Sequence, residues 1–244
     1  MIKLNTHCLV AASLLAMSSA AWAETHSINA GEGAQERLQE ALILAEPGDE
    51  IVLGAGRFAL TDGLSLDVDN VTVRGQGMDT TILDFSGQQG AGEGLLVTSD
   101  NVVLRDFGLE NSKGDGIKSK GADNIVYYML RVEWTRGPNP ENGAYAIYPV
   151  ESENVLIDSV TTSGASDAGI YVGQSKNIIV RRNTAIENVA GIEIENTVNA
   201  DVYDNVATNN TGGILVFNMP QLQQEGKATR VYNNRVFANN TGNF

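Results

Sequence analysis

The sequence predicts an all-β chain wound as a single-stranded right-handed parallel β-helix, a solenoid, with a short helix capping its N-terminal end. Three observations predict it. A Gly/Ala-Ile-x-apolar segment recurs with Ile117, Ile147, Ile170, Ile192 and Ile214 in equivalent places, the last three steps being 23, 22 and 22 residues. A second segment recurs behind it, opening at Asn70, Asn101, Asn124, Asn154, Asn177 and Asn199, then at Ala228, each followed by β-branched or apolar residues. Gly, Asn, Asp and Ser break these short runs every six to ten residues, the pattern of strands and turns. A leucine-rich repeat shares the period but needs a Leu-rich consensus and helices, which are missing here. Stacked coils place equivalent positions about 4.8 Å apart along the axis. One coil cannot bury its apolar face, whereas a stack shares one core.

Taken in order, Met1 to Asn5 carry Lys3, an apolar run follows from Cys8 to Met17, and Ala21-Trp22-Ala23 ends it. That is a secretory signal peptide over 1–23, with the β-helix domain over 24–244. No apolar stretch approaches the 18 residues of a membrane span, so no membrane anchor is expected, and the mature chain is placed in the periplasm or outside the cell. Ala34 to Ala45 has apolar residues at helical spacing and is stopped by Pro47-Gly48, which predicts the capping helix. Such a cap shields strand edges that would otherwise invite aggregation. Two Asn columns, Asn183/Asn205/Asn234 and Asn188/Asn210/Asn239, support the register. They read either as structural ladders at coil corners, tolerant of left-handed backbone, or as a row of sugar-binding amides. The last residues, Asn243-Phe244, fall part-way into a coil with no cap, so a chain truncated at its C-terminus is expected.

Composition removes several function classes. Without the signal, the 16 basic residues lose Lys3 and become 15 against 30 acidic, a net charge near −15. Nucleic acid, which needs basic surface, is not an expected partner. The mature chain has no cysteine and one histidine, His26, so thiol nucleophiles, His-based triads and His-rich zinc sites are excluded. Acid–base chemistry must use Asp, Glu, Lys, Arg or Tyr.

Side chains alternate faces along a strand. If the Ile column points inward, an outward column reads Leu96, Lys118, Tyr148, Tyr171, Glu193 and Leu215, and a second reads Thr98, Lys120, Val150, Gly173, Glu195 and Phe217. A ridge of Lys, Tyr and Glu suits a carbohydrate chain lying along the axis; it is also an ordinary polar sheet face, since stacked Tyr stabilise ladders unaided. Coil lengths add a clue. The steps from Asn70 to Asn101 and Asn124 to Asn154 are 31 and 30 residues, against 23 between. The extra residues, around Ser86 to Gly94 and Thr135 to Ala144, are expected at one corner below and above Lys118, walling a groove with Lys118 at its floor. A third insertion, Pro220 to Lys227, is expected at the opposite corner.

The segment Pro47 to Phe58 (PGDEIVLGAGRF), with Gly114-Asp115-Gly116-Ile117-Lys118 and Asn142 to Val150 (NGAYAIYPV), resembles the right-handed parallel β-helix repeat proteins of the pectin-lyase-like superfamily, most of all a bacterial exported group. The resemblance covers essentially the whole mature chain. It implies distant kinship with pectate and alginate lyases, mannuronan C5-epimerases and a periplasmic copper-delivery protein. Those share a scaffold and not a reaction. The Asp-Pro-His-Glu segment of the epimerases is missing, as are the pectate-lyase calcium carboxylates with their arginine, and His, Cys and Met-rich copper motifs.

Lyases and C5-epimerases remove a proton beside a uronate carboxylate, so they need a base and a neutralising cation. Lys118 or Tyr148 is the candidate base; Lys120, Arg131 or Arg136 is the candidate cation. Tyr145, Tyr171, Glu193, Glu195 and Lys120 are the candidate substrate contacts. Glu193 lies three coils from Lys118, roughly 14 Å away, too far to share one proton. Asp115 is either a turn residue or a ligand, and Trp134 a core residue or a sugar platform. No metal ligand is assigned, but Glu133, Glu141 and Glu151 could together hold Ca²⁺. The expected function is carbohydrate interaction by a monomer, as a lyase or epimerase on an acidic polysaccharide. The alternatives are a non-catalytic glycan-binding module and an accessory protein that docks a protein partner.

Overall fold

The structure, a computed structural model, describes residues 23–90 and 92–244; the expected signal peptide lies almost wholly outside the described residues. Three parallel sheets of nine, seven and eight strands run the length of a right-handed β-helix, each strand pairing with its equivalent in the coils below and above. Leu64–Leu66, Leu95–Val97, Ile117–Lys120, Tyr145–Val150, Ala168–Gly173, Ala190–Glu195 and Gly212–Phe217 form the seven-stranded sheet. Ile117 pairs with Ile147, Ile147 with Ile170, Ile170 with Ile192 and Ile192 with Ile214, the register that the repeat predicts. Ile117, Ile147, Ile170 and Ile192 are fully buried in a core shared with Leu104, Phe107, Tyr127 and Val180.

The helix spans Ala34–Leu44 and buries Ala34, Leu38 and Leu42, one face at a spacing of four, against the first strands of the solenoid. A strand that sequence reasoning missed, Thr25–Ile28, precedes it and starts the nine-stranded sheet. Its short THSI run has no alternating apolar pattern. It pairs in parallel with Glu50–Leu53, and His26 Nε2 adds a contact 2.9 Å from Asp49 Oδ2. Amide donation from Glu46 and Glu24 and the His26 contact hold the Asp49 carboxyl below its ordinary value.

Asparagine sets the corners in two ways. Asn70, Asn101, Asn124, Asn154, Asn177 and Asn199 all have φ between +56 and +61°, the left-handed region that Asn tolerates well. Their amides form an exposed ladder, as in Asn124 Nδ2 to Asn101 Oδ1 at 2.9 Å and Asn199 Nδ2 to Asn177 Oδ1 at 2.8 Å. The columns at Asn183/Asn205/Asn234 and Asn188/Asn210/Asn239 differ from expectation. The left-handed residue at those corners is the preceding one, such as Arg182, Asp204 and Glu187. The asparagines turn inward. Asn205 Oδ1 accepts from the Asn183 amide and side chain at 3.0 Å, while Asn205 Nδ2 donates to Val180 O at 3.0 Å. Asn183, Asn188, Asn205 and Asn210 are buried and hydrogen-bonded from coil to coil, as structural ladders are.

On the nine-stranded sheet a second outward ladder runs Arg105, Tyr128, Asp158, Arg181, Tyr203, Tyr232. Asp158 there is held below its usual range because Arg182 and Arg181 donate to it, which outweighs its burial. Val216, Val231 and Val236 in the last described coil are 50%, 46% and 48% exposed.

Asn205→Ala strands the Asn183 donors and the Val180 carbonyl inside the wall. A loss of about 2–4 kcal/mol is expected in urea unfolding, from one or two buried groups left unpaired.

Candidate functional site

The outer face of the seven-stranded sheet carries the ridge. Lys118 pairs with Tyr148, Tyr171 with Glu193, and Glu193 with Leu215, as alternation predicts. A neighbouring column, Tyr145, Ala168, Ala190, Gly212, shrinks as it rises. The small residues leave room beside the ridge, and Tyr145, Tyr148 and Leu215 pack onto Ala168, Tyr171 and Ala190 as an apolar cluster outside the solenoid core. The three rings touch. Tyr145 lies 4.6 Å from Tyr148 and 4.5 Å from Tyr171 between centroids, and Tyr148 meets Tyr171 edge-on at 5.0 Å. Such contacts fix the ring planes. In the second column Gly173 sits beside Tyr171, where a Cβ would fall 2.6 Å from the ring. The missing side chain lets Tyr171 lean across, and its hydroxyl donates to Glu195.

Charge is arranged unevenly along this face. Lys118 Nζ lies 3.1 Å from Glu93 and 3.5 Å from Asp115, and 4.6 Å from the Tyr148 ring centroid. Burial opposes its charge, but Glu93 and Asp115 outweigh that and hold the ammonium above its ordinary value. A lysine base requires the opposite shift. The Glu93 and Asp115 contacts thus suit Lys118 to the part of a held cation better than to that of the expected base. Burial, with Lys118 opposing, also raises the Tyr148 phenol, which therefore stays protonated near neutral pH. Tyr145 donates to Asp167 at 3.0 Å, and its phenol is pushed up by burial and then by that carboxylate. Asp115 accepts from the Tyr145 amide at 3.2 Å and is raised by burial against the pull of Lys118. It is a member of the site and not only a turn residue.

Glu193 stands apart. It is 8% exposed and has no hydrogen-bond partner among the described residues. Burial, then the neighbouring charge of Asp167, pushes its carboxyl up to about 7. Glu195 is raised by burial as well. The upper half of the ridge therefore offers a carboxyl able to take or give a proton near neutral pH.

Glu93 and Asp167 were missed in the sequence. Asp167 precedes Ala168-Gly169-Ile170 as Asp115 precedes Gly116-Ile117, and that local echo was the available signal. Glu93 reaches Lys118 from a loop, where no periodicity applies.

The two long loops do meet at one corner. Gly114 N donates to Gly92 O at 2.8 Å and Lys113 N to Gln88 Oε1 at 2.9 Å from below, while Trp134 Nε1 donates to Ser112 O at 2.6 Å from above. Trp134 is buried and belongs to the core. The upper loop does not deliver Arg136 to the ridge. Arg136 donates to Asn142 at 2.5 Å and to Glu141 at 3.4 Å, closing its own loop. Arg131 is engaged with Asp79, Glu110 and Glu133 on the eight-stranded sheet. Lys120 is exposed one column from Lys118. The calcium expectation is corrected. Glu133 pairs with Arg131, Glu141 with Arg136, and Glu151 sits on a left-handed corner after Val150; no group of three metal-ligating side chains gathers among the described residues. The third insertion lies at the opposite corner, where Gln224 Nε2 donates to Asn196 O at 2.8 Å.

A family model described as right handed beta helix region matches residues 66–236. The chain belongs to that family. No curated protein matches it. Among solved structures, an alginate lyase from Paenibacillus sp. str. FPU-7 is 18% identical with a TM-score of 0.52, over 80% of this chain and 75% of that one. The A-module of an Azotobacter vinelandii mannuronan C-5 epimerase is 18% identical with a TM-score of 0.58, over 78% of this chain and 62% of that one. A Yersinia enterocolitica family 28 exopolygalacturonase is 11% identical with a TM-score of 0.54, over 86% and 58%. The chain thus spans less than two thirds of the latter two structures. At such identities the likeness is one of fold. Among the described residues no helix is long and apolar enough to cross a membrane.

Between the ordinary carboxyl value of 4.5 and about 7, the folded chain keeps a proton on Glu193 that the unfolded chain has released. Its contribution to stability therefore falls as pH rises through that window, by on the order of 3 kcal/mol before solvent screening reduces it. Glu193→Gln is expected to match the parent near pH 5 and exceed it by about 1–3 kcal/mol near pH 8 in urea unfolding.

Proposed function

We propose that the chain is an exported, carbohydrate-active β-helix protein that lays an oligosaccharide along the ridge. Tyr145, Tyr148 and Tyr171 form the platform, and Glu193 is the proton donor or acceptor. The single observation that carries this reading is a largely buried Glu193 side chain without a protein hydrogen-bond partner among the described residues, its carboxyl shifted to about 7, one coil above a tyrosine cluster. A catalytic acid or base works best with a pKa near the operating pH. Columns repeating about every 4.8 Å fit a polymer of repeating rings laid along the axis. The solved structures of similar fold include proteins described as a lyase, an epimerase and an exopolygalacturonase, which supports a carbohydrate ligand without choosing the reaction.

A second reading, a lyase or C5-epimerase on an acidic glycan, is favoured by the Lys118 ammonium lying 4.6 Å from the Tyr148 ring centroid. There Lys118 would neutralise a uronate and Tyr148 would relay the proton. Arg136, tied up in its own loop, takes no part in either reading.

Product formation from neutral and uronate oligosaccharides separates these. Reducing-end release without unsaturated product, falling about 10²-fold or more in Glu193→Gln, supports the first reading. Unsaturated product lost in Tyr148→Phe and retained in Glu193→Gln supports the second. Binding without product marks a non-catalytic module, and failure to bind any glycan overturns the carbohydrate reading in favour of a docked protein partner.

A further inference from the structure

The ridge is chemically lopsided in a way that bears on what it takes. Glu93, Asp115, Asp167, Glu193 and Glu195 all belong to its polar network or lie on its columns. The seven strands beneath it contain two cations, Lys118 and Lys120, both on the Ile117–Lys120 strand. Lys118 is already matched by Glu93 and Asp115. Three coils higher, roughly 14 Å away, no cation of the sheet faces Glu193.

The phenols divide the carboxylates further. Tyr145 donates to Asp167, and Tyr171 donates to Glu195. Glu193, more than nine-tenths buried between the Tyr171 and Leu215 positions, receives no donor among the described residues. A buried carboxylate without a partner is costly, and a cationic donor compensates it better than a neutral one. Asp167, which already accepts from Tyr145 at 3.0 Å, adds to the cost of charge on Glu193.

We infer that the ridge takes a glycan bearing a free ammonium, an amino sugar, with the ammonium held by Glu193 and the ring on Tyr148 and Tyr171. This rests on the ridge being the glycan site proposed above, and for such a ligand it makes Glu193 the binding carboxylate in place of the proton donor or acceptor. It also predicts discrimination against uronates. A uronate carboxylate placed at Glu193 meets like charge, and one placed at Lys118 must displace an existing ion pair. Ammonium placement also orients the sugar, since the donor side lies at Glu193 and the apolar side at the tyrosines.

Titration calorimetry on the full mature chain tests this with three ligands of equal length: a glucosamine oligomer, its fully N-acetylated counterpart and an oligogalacturonate. The glucosamine oligomer is expected to bind about ten-fold or more tightly than the other two, the scale of one charge-assisted pair. In Glu193→Gln that preference is expected to fall to about two-fold or less. Equal or tighter binding of the acetylated or uronate oligomer overturns the inference and leaves the ridge as a glycan site. A preference that survives intact in Glu193→Gln also overturns it, by assigning the attraction to the acidic surface as a whole. Failure of all three ligands to bind overturns the ridge reading itself. The ligand comparison uses the native chain, so it stands even if the variant misfolds.

Discussion

Each coil must set its Gly-Ile step directly over that of the coil below, because in a parallel stack the backbone of one coil is satisfied only by its neighbours. Ile117, Ile147, Ile170, Ile192 and Ile214 stay in register for that reason, and everything outward of them stays in register too. Corners are the weak point of such a stack, since the chain must turn sharply without leaving polar groups bare. The exposed Asn ladder accepts the left-handed turn, and the buried Asn ladder fills the hydrogen bonds left open inside it. Stability is then local and additive from coil to coil, with no dependence on a single distant contact.

The same register makes the ridge. A column position repeated about every 4.8 Å turns single residues on successive coils into a surface of fixed composition. Two positions depart from simple stacking. Gly173 gives up its side chain so that Tyr171 can lean toward Glu195, and Ala168 and Ala190 stay small beside Tyr145. A residue that weakens the fold at neutral pH while making no bond of its own is the signature of a site shaped for something other than stability.

Much of this was legible in the residues. The Ile and Asn spacings identified the solenoid, the ALILA-containing run identified the cap, and alternation placed Lys118, Tyr148, Tyr171, Glu193 and Glu195 on one face. Coil lengths alone located both loops at the corner below and above Lys118. What could not be read was anything set by side-chain reach instead of periodicity. Glu93 comes from an aperiodic loop, and Arg136 bends back to Asn142 instead of forward to the ridge. The same holds for protonation: the sequence does not show the Glu93 and Asp115 contacts of Lys118, expected as a base, or the burial of Glu193, expected as a substrate contact. The strand Thr25–Ile28 was hidden because no apolar pattern marks it; its pairing with Glu50–Leu53 shows only in the structure.

The most direct measurement is a crystal structure of the mature chain with a bound oligosaccharide. The account predicts density running along the axis on the seven-stranded sheet, with a ring on Tyr148 and Tyr171 and a polar group within hydrogen-bond distance of Glu193. Density on the Arg105 to Tyr232 ladder of the nine-stranded sheet, with the tyrosine ridge empty, would contradict it.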